Sequence, residues 1–411
     1  MRIRNSTLLV YLLSTTLVTC LPAPSAKPIH LPLQLVKSKS IYKRSERLEL
    51  PILDDLDISE IGITVQIGTP AQEFTLLFDT GSADTWVPST RCTELTGCPD
   101  VLHHYDPANS TTYQPLTDRL DITYSIGSAA GNYFTDVVSL GVGYTIAAQT
   151  MAMVDSAVGA ISTQKNTSNI ILDGILGAGL PGGTVRYLQG GRSYDPVPVS
   201  LYKAGLIPKP MFSIAIGEQA AGKVVFGDII TEQTNGAFVY TNLVTFAGIL
   251  NTPRWMVNTW GFEFQNKTSS RNFKFNQRTP VSIDTGSNLM YLPAPLAKDL
   301  ANTITSGHFQ TISGLFHIDC QYQESTDVLK TYFPGTNGRN VYISIPISKL
   351  VGKRESDGKC FFLFSPANDK FILGNMFLRH FVVVYDFGNS PQIGFAPLLE
   401  GDQQSILPDS S

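Results

Sequence analysis

The sequence predicts an all-β protein built as two similar lobes, and three observations carry that expectation. Tyr, Phe, Val and Thr recur in short runs punctuated by 34 Gly and 25 Pro, a texture of many short strands rather than long helices. At 411 residues the chain is longer than one hydrophobic core serves, so more than one folding unit is expected. The chain also repeats itself. Leu76-Leu77-Phe78-Asp79-Thr80-Gly81-Ser82 is echoed by Val281-Ser282-Ile283-Asp284-Thr285-Gly286-Ser287, and Ile175-Leu176-Gly177 by Ile372-Leu373-Gly374. Two elements recurring in the same order at such distances point to duplicated lobes.

From the N-terminus, Arg2 and Arg4 precede an apolar stretch over 8–13, and small residues follow over 23–26. That is the pattern of a secretion signal, assigned to residues 1–26 with cleavage between 20 and 26. Ser14, Thr15, Thr16, Pro22 and Pro24 leave too few apolar residues for a membrane span. Residues 27–44 form a short basic segment ending in Lys43-Arg44, a dibasic pair suited to a secretory-pathway protease. The N-terminal lobe is then expected over 45–230 and the C-terminal lobe over 231–411, with the joint near 225–240. Strand-like runs fall at 62–67, 74–78, 223–226 and 381–385, and one short helix is expected over 295–304. The tail over 401–411 is polar and lacks the hydrophobic end of a lipid-anchor signal.

Cysteine and charge narrow the class further. Five cysteines become four once Cys20 leaves with the signal, and these fall into two groups, Cys92 with Cys98 and Cys320 with Cys360. Four cysteines allow three connectivities; nearest-neighbour pairing places each bridge within one lobe. No CxxC and no His-rich partner accompanies them, which favours disulfides over zinc. Residues 1–44 hold seven of the 30 basic residues and no acidic one, so their removal leaves 23 basic against 34 acidic, a net of −11. So acidic a body is not expected to seek nucleic acid or anionic membranes. Held against such a body, the basic segment would be gripped by carboxylates at neutral pH and released as they protonate.

The chemistry resides in the repeated Asp-Thr-Gly. Each copy sets an Asp directly after an apolar strand, so the carboxylate is carried inward. Gly81 and Gly286 allow close backbone approach and bring amides to the carboxylates. Thr80 and Thr285 offer hydroxyls to the opposite copy, and Ser82 and Ser287 can each bond the outer oxygen of their own Asp. One buried Asp alone would read as structural. Two in matching loops, one per lobe, would meet as a near-symmetric pair. Two carboxylates in contact cannot both ionise cheaply, so they share one proton. One then serves as general base on a bridging water while the other protonates a scissile carbonyl.

On these residues the chain resembles a pepsin-like aspartic endopeptidase of the fungal secreted type, over about residues 58–397. Phe78-Asp79-Thr80-Gly81-Ser82 followed by Trp86-Val87-Pro88-Ser89 carries the resemblance, with Asp173-Gly174-Ile175-Leu176-Gly177 and Phe371-Ile372-Leu373-Gly374-Asn375. The resemblance implies the bilobal pepsin-like acid protease fold, two similar β-barrel-like lobes with the active-site cleft between them. It implies a secreted endopeptidase hydrolysing bonds between bulky hydrophobic residues at acidic pH through Asp79 and Asp284. Cys92–Cys98 and Cys320–Cys360 resemble the family's two common bridges, and the basic segment resembles its inhibitory propeptide. The stretch 122–128 fits the family's flap hairpin, which makes Tyr124 the flap residue held by a hydrogen bond from Trp86. Tyr124, Ser125, Ile126 and Gly127 are then the flap and substrate-binding positions. Ser125 and Ile126 stand where many relatives carry Gly and a polar residue, which bears on subsite preference.

Other motifs are discounted. Gly177-Ala178-Gly179-Leu180-Pro181-Gly182 matches GxGxxG, but Pro181, Gly182, Gly183, Gly190 and Gly191 oppose the helix a dinucleotide site needs. The six histidines show no HExxH or other ligand spacing, so His103-His104 is assigned to the surface, and no metal or cofactor is expected. Asn109, Asn166 and Asn266 open N-glycosylation sequons, and Asn5 is discounted within the signal. No GxSxG appears, which sets aside a serine hydrolase. The expected partners are polypeptide substrates and the chain's own propeptide, with no nucleic acid and no membrane, on a monomer. The rival reading is a non-catalytic binding or inhibitor protein on the same fold, whose mark would be loss of one Asp or its Gly. Both motifs are intact.

Overall fold

The computed structural model describes residues 26–37, 59–125, 127–165, 171–217, 222–234, 237–246, 248, 251–354, 357–399 and 406–408. Most of the leader, the pair Lys43-Arg44, Ile126, Asn166 and most of the tail lie outside them. Strands dominate, and they fall into an eight-stranded sheet in each half, a small four-stranded sheet, and a six-stranded sheet shared between the halves.

Strand Gln72–Asp79 shows how sequence becomes position. Phe74, Leu76 and Phe78 alternate into the core while Glu73 points to solvent, a period of two that ends by burying Asp79. It runs parallel beside Gly174–Gly177, with Asp79 opposite Gly177. Trp86–Pro88 returns against Gly174–Gly177 at Trp86 and Ile175, and runs parallel to Thr145–Gly159. The C-terminal half repeats the arrangement. Ser270–Asp284 ends in four buried residues beside Ile372–Gly374, with Asp284 opposite Gly374. Met290–Pro293 then meets Ile372–Gly374 at Tyr291 and Ile372, and runs parallel to Phe364–Ala367. The duplicated motifs are thus duplicated geometry, an all-β bilobal fold of the pepsin-like kind.

The six-stranded sheet takes Ile29–Pro32, Lys223–Phe226, Met211–Ala215, Phe381–Asp386, Gln392–Pro397 and Val239–Asn242, in that order. It holds an aromatic cluster behind the two Asp loops. Phe212 stacks on Tyr385 at 4.8 Å between ring centres, with Phe78 and Trp255 edge-on to it at 5.8 and 5.9 Å. The Trp255 indole N–H donates to the Ala178 carbonyl at 2.9 Å, so the cluster also supports the floor of the first loop. Rings at these spacings add stabilisation beyond the area they bury.

The basic segment contributes the edge strand Ile29–Pro32 to this sheet and a second strand, Gln34–Lys37, to the N-terminal sheet. Ile29 and Leu33 are fully buried there. The helix expected over 295–304 spans Ala294–Thr305; Ala297, Leu300, Ala301 and Ile304 face inward at helical spacing. The GxGxxG stretch makes a tight turn at Pro181–Gly183 and then a single helical turn. Disulfides join Cys92 to Cys98 and Cys320 to Cys360. Among the described residues no helix is long and apolar enough to cross a membrane.

Candidate active site

The two Asp-Thr-Gly loops meet between the lobes and lock together through their threonines. Each threonine occupies both roles of its hydroxyl. Thr80 Oγ1 accepts the Thr285 amide at 3.0 Å and donates to the Ile283 carbonyl at 3.0 Å. Thr285 Oγ1 accepts the Thr80 amide at 3.0 Å and donates to the Phe78 carbonyl at 2.7 Å. All four bonds are buried, which fixes one loop against the other with no slack for solvent.

This lock brings Asp79 and Asp284 into contact. Asp79 accepts the Gly81 amide on one oxygen at 2.7 Å and the Ser82 hydroxyl on the other at 2.5 Å. Asp284 accepts the Gly286 amide at 2.9 Å and the Ser287 hydroxyl at 2.8 Å. The glycines are required by space as well as by their amides. A Cβ on Gly81 would land on the Asp284 carboxyl, and one on Gly286 would land on that of Asp79. Each lobe's glycine is therefore the surface against which the other lobe's carboxylate rests.

Burial and the neighbouring Asp284 charge push the Asp79 carboxyl up to about 7, against the pull of the Ser82 and Gly81 bonds. Two effects of the same sign outweigh two charge-stabilising bonds, so the pair retains a proton through the acidic range.

A hairpin overhangs the loops. Its first strand, Gln114–Thr123, ends at Tyr124, whose amide closes the turn onto the Gly127 carbonyl at 2.9 Å, and Gly127–Ser139 returns. The Trp86 indole N–H donates to the Tyr124 hydroxyl at 2.8 Å. Burial and the Asp79 charge both hold the Tyr124 proton on, against a weaker pull from the Trp86 bond and Ser82. Ser125 is exposed at the tip.

Of the sequons, Asn109 is exposed and its amide donates to Asp106 at 2.9 Å. Asn266 turns its side-chain oxygen inward onto the Thr268 and Ser269 amides, at 2.9 and 2.8 Å. His103 is largely exposed, yet its amide donates to the buried Asp173 at 2.7 Å and its ring lies 3.1 Å from the same carboxylate. Among the described residues no three His, Cys, Asp or Glu side chains converge as a metal site requires.

Sequence reasoning missed Asp84. This carboxylate is fully buried five residues after Asp79 and accepts three bonds. They come from the hydroxyls of Tyr133 at 2.6 Å and Tyr194 at 2.7 Å, and from the Val185 amide at 2.8 Å. The available signal was an acidic residue inside the apolar run Ala83 to Pro88. The Asp-Thr-Gly repeat does not extend to it.

A family model of eukaryotic aspartyl proteases matches residues 61–398. The chain is 36% identical to mucorpepsin of Rhizomucor miehei over 356 residues, 85% of this chain and 81% of that protein. It is also 36% identical to mucorpepsin of Rhizomucor pusillus over 369 residues, 88% of this chain and 84% of that protein. Pepsin A of Bos taurus is 28% identical over 359 residues, covering 85% and 87% respectively.

Proposed function

Because the chain belongs to the eukaryotic aspartyl protease family and is an aspartic-type endopeptidase, we propose that it is a secreted enzyme cutting between bulky apolar residues at acidic pH through Asp79 and Asp284. The observation that carries this reading is the contact of two buried carboxyls, Asp79 and Asp284, which favours one shared proton over two charges. A water bound between them gives a proton to the ionised carboxylate as its oxygen attacks the scissile carbonyl carbon. The protonated carboxyl gives its proton to the carbonyl oxygen. One carboxyl then gives its proton to the amide nitrogen while a hydroxyl of the tetrahedral diol gives one back to the pair, so the carbon–nitrogen bond breaks, acid and amine leave, and the pair again holds one proton. As pH rises toward 7 the shared proton is lost and turnover falls with it.

Residues 27–44 act as an intramolecular inhibitor until cleaved. Support comes from the two strands they lend to the body and from burial of Ile29 and Leu33. Secretion rests on the leader pattern and on the two disulfides, which need an oxidising compartment. The apolar preference rests on the flap stretch 124–127, which carries no acid, and on Trp86 and Ile122 beneath it. A Lys ammonium buried there without a partner would cost several kcal/mol, whereas a Phe or Leu gains roughly 1.5–3 kcal/mol from burial.

One experiment tests the reading. Denatured haemoglobin is digested from about pH 3 to about pH 7 and the products are read by mass spectrometry, with Asp79→Asn and Asp284→Asn as controls. The expected result is cuts between bulky apolar residues, greatest in acid, and none in either variant. More than a few per cent of activity in a well-folded variant overturns the two-carboxylate mechanism. Frequent cuts after Lys overturn the flap argument alone.

A further inference from the structure

Asp84 is a buried acid, close to the dyad, that the proposed mechanism leaves unused. The fold does not by itself demand an acid at this place, because the two lobes offer a built-in comparison. Five residues after Asp284 the equivalent position is Leu289, fully buried in an apolar cluster with Leu315, Phe361, Leu363 and Met376. The C-terminal lobe thus fills the space behind its loop with hydrocarbon. The N-terminal lobe fills it with a carboxylate and brings three donors to meet it. Burial raises the Asp84 carboxyl, and the bonds from Tyr133, Val185 and Tyr194 oppose that shift.

The donors come from distant parts of the lobe, and their positions indicate what is being tied. Tyr133 lies on Gly127–Ser139, the return strand of the flap hairpin, and is itself fully buried. It packs in one cluster with Trp86, Ile122 and Tyr124, and its ring meets that of Tyr194 edge-on at 5.8 Å. Asp84 lies between Ser82, which bonds Asp79, and Trp86, which bonds the flap Tyr124. The C-terminal lobe carries Tyr291 at the place of Trp86, again beside a leucine rather than an acid.

We propose that Asp84 is a positioning residue for the flap: its carboxylate, through the Tyr133 and Tyr194 hydroxyls, ties the loop after Asp79 to the flap's return strand and keeps Trp86 in register with Tyr124. The inference rests on the endopeptidase reading above. Losing the tie leaves the two carboxyls and their water in place but makes the hairpin harder to close over substrate. Closure serves bound substrate and transition state alike, so the loss falls on KM rather than on kcat.

The test uses the processed enzyme and an apolar-centred octapeptide, with Tyr133→Phe and Tyr194→Phe, each removing one oxygen atom, and Asp84→Leu, which installs the other lobe's residue. Unfolding midpoints at the assay pH show whether each variant folds. For Tyr133→Phe the expected result is a KM raised about five- to twentyfold with kcat within about threefold, and a statine-type inhibitor weakened by a similar factor. Tyr194→Phe follows in the same direction, and Asp84→Leu shows the largest rise. An unchanged KM in a folded Tyr133→Phe enzyme overturns the proposal, as does a fall confined to kcat. If Asp84→Leu does not fold, the two tyrosine variants decide. Failure of the endopeptidase reading is distinguishable, since the unmodified enzyme would then show no hydrolysis that Asp79→Asn abolishes.

Discussion

Replacing Thr80 with Val removes one hydroxyl from the lock between the lobes while nearly keeping its shape. Thr80 is fully buried, and its hydroxyl both accepts the Thr285 amide and donates to the Ile283 carbonyl. Valine can do neither, so two buried backbone groups lose a partner in a place water does not reach. At about 1–3 kcal/mol for each group left unsatisfied, Thr80→Val should cost roughly 2–6 kcal/mol of stability. Thr80→Ser is the control, because it keeps the hydroxyl and loses one buried methyl, about 0.8 kcal/mol. The same change slackens the loops that set the contact of Asp79 with Asp284. A misplacement of about 1 Å there is expected to lower kcat by about a hundredfold. Urea unfolding at about pH 4, followed by tryptophan fluorescence, measures the stability term, and hydrolysis of a synthetic peptide measures the catalytic one. If Val and Ser variants unfold within about 1 kcal/mol of each other, the threonine bonds do not hold the lobes in the way argued.

Gly286→Ala sets a methyl against the Asp79 carboxyl, so hydrolysis should be lost without loss of the disulfides or of the overall circular dichroism spectrum; an active Gly286→Ala enzyme would refute the contact. Stability should also depend on pH in a stated direction. Burial and Asp284 raise Asp79 to about 7, and burial raises Glu60 to about 7, both above their unfolded values. Carboxyls raised in this way stabilise the fold fully below their unfolded values and lose that contribution as pH climbs through about 7. The unfolding midpoint should therefore fall between about pH 4 and about pH 7. It should fall less steeply in Asp79→Asn; equal slopes in both proteins would contradict the assignment.

The lobes were legible because their signals are local. Each Asp-Thr-Gly follows an apolar strand within a few residues, and each hydrophobic-hydrophobic-Gly element sits beside it in the sheet. The helix near residue 300 was readable from its apolar spacing and from Pro295 at its start. The six-stranded sheet was not readable, since its strands come from residues 29–32, 211–226, 239–242 and 381–397, and none carries a mark of its partners. His103 reads as a surface residue from its polarity, and its ring is indeed exposed, but no local pattern reveals the backbone bond to Asp173. Asp84 was missed for a related reason: its partners Tyr133, Val185 and Tyr194 lie 49, 101 and 110 residues away.

What the duplication leaves unequal matters as much as what it repeats. The loop bonds are nearly symmetric, since each Asp accepts one glycine amide and one serine hydroxyl, and each threonine reaches across. Symmetry of that kind places two like charges in contact and does not by itself choose where the shared proton rests. The surroundings of the two carboxyls differ. Among the described residues, the Asp79 side carries the flap tyrosine held by Trp86 and a buried acid behind the loop, whereas the Asp284 side has Leu289 at that place. On the Asp284 side the position of Trp86 is taken by Tyr291, which meets the Lys370 ammonium at 5.9 Å rather than a hairpin overhead. Burial is the larger cause of the raised Asp79 carboxyl, ahead of the Asp284 charge. Duplication therefore supplies the pair of carboxyls, and the flap with its Asp84 brace, present in one lobe, gives the two sides of that pair different surroundings.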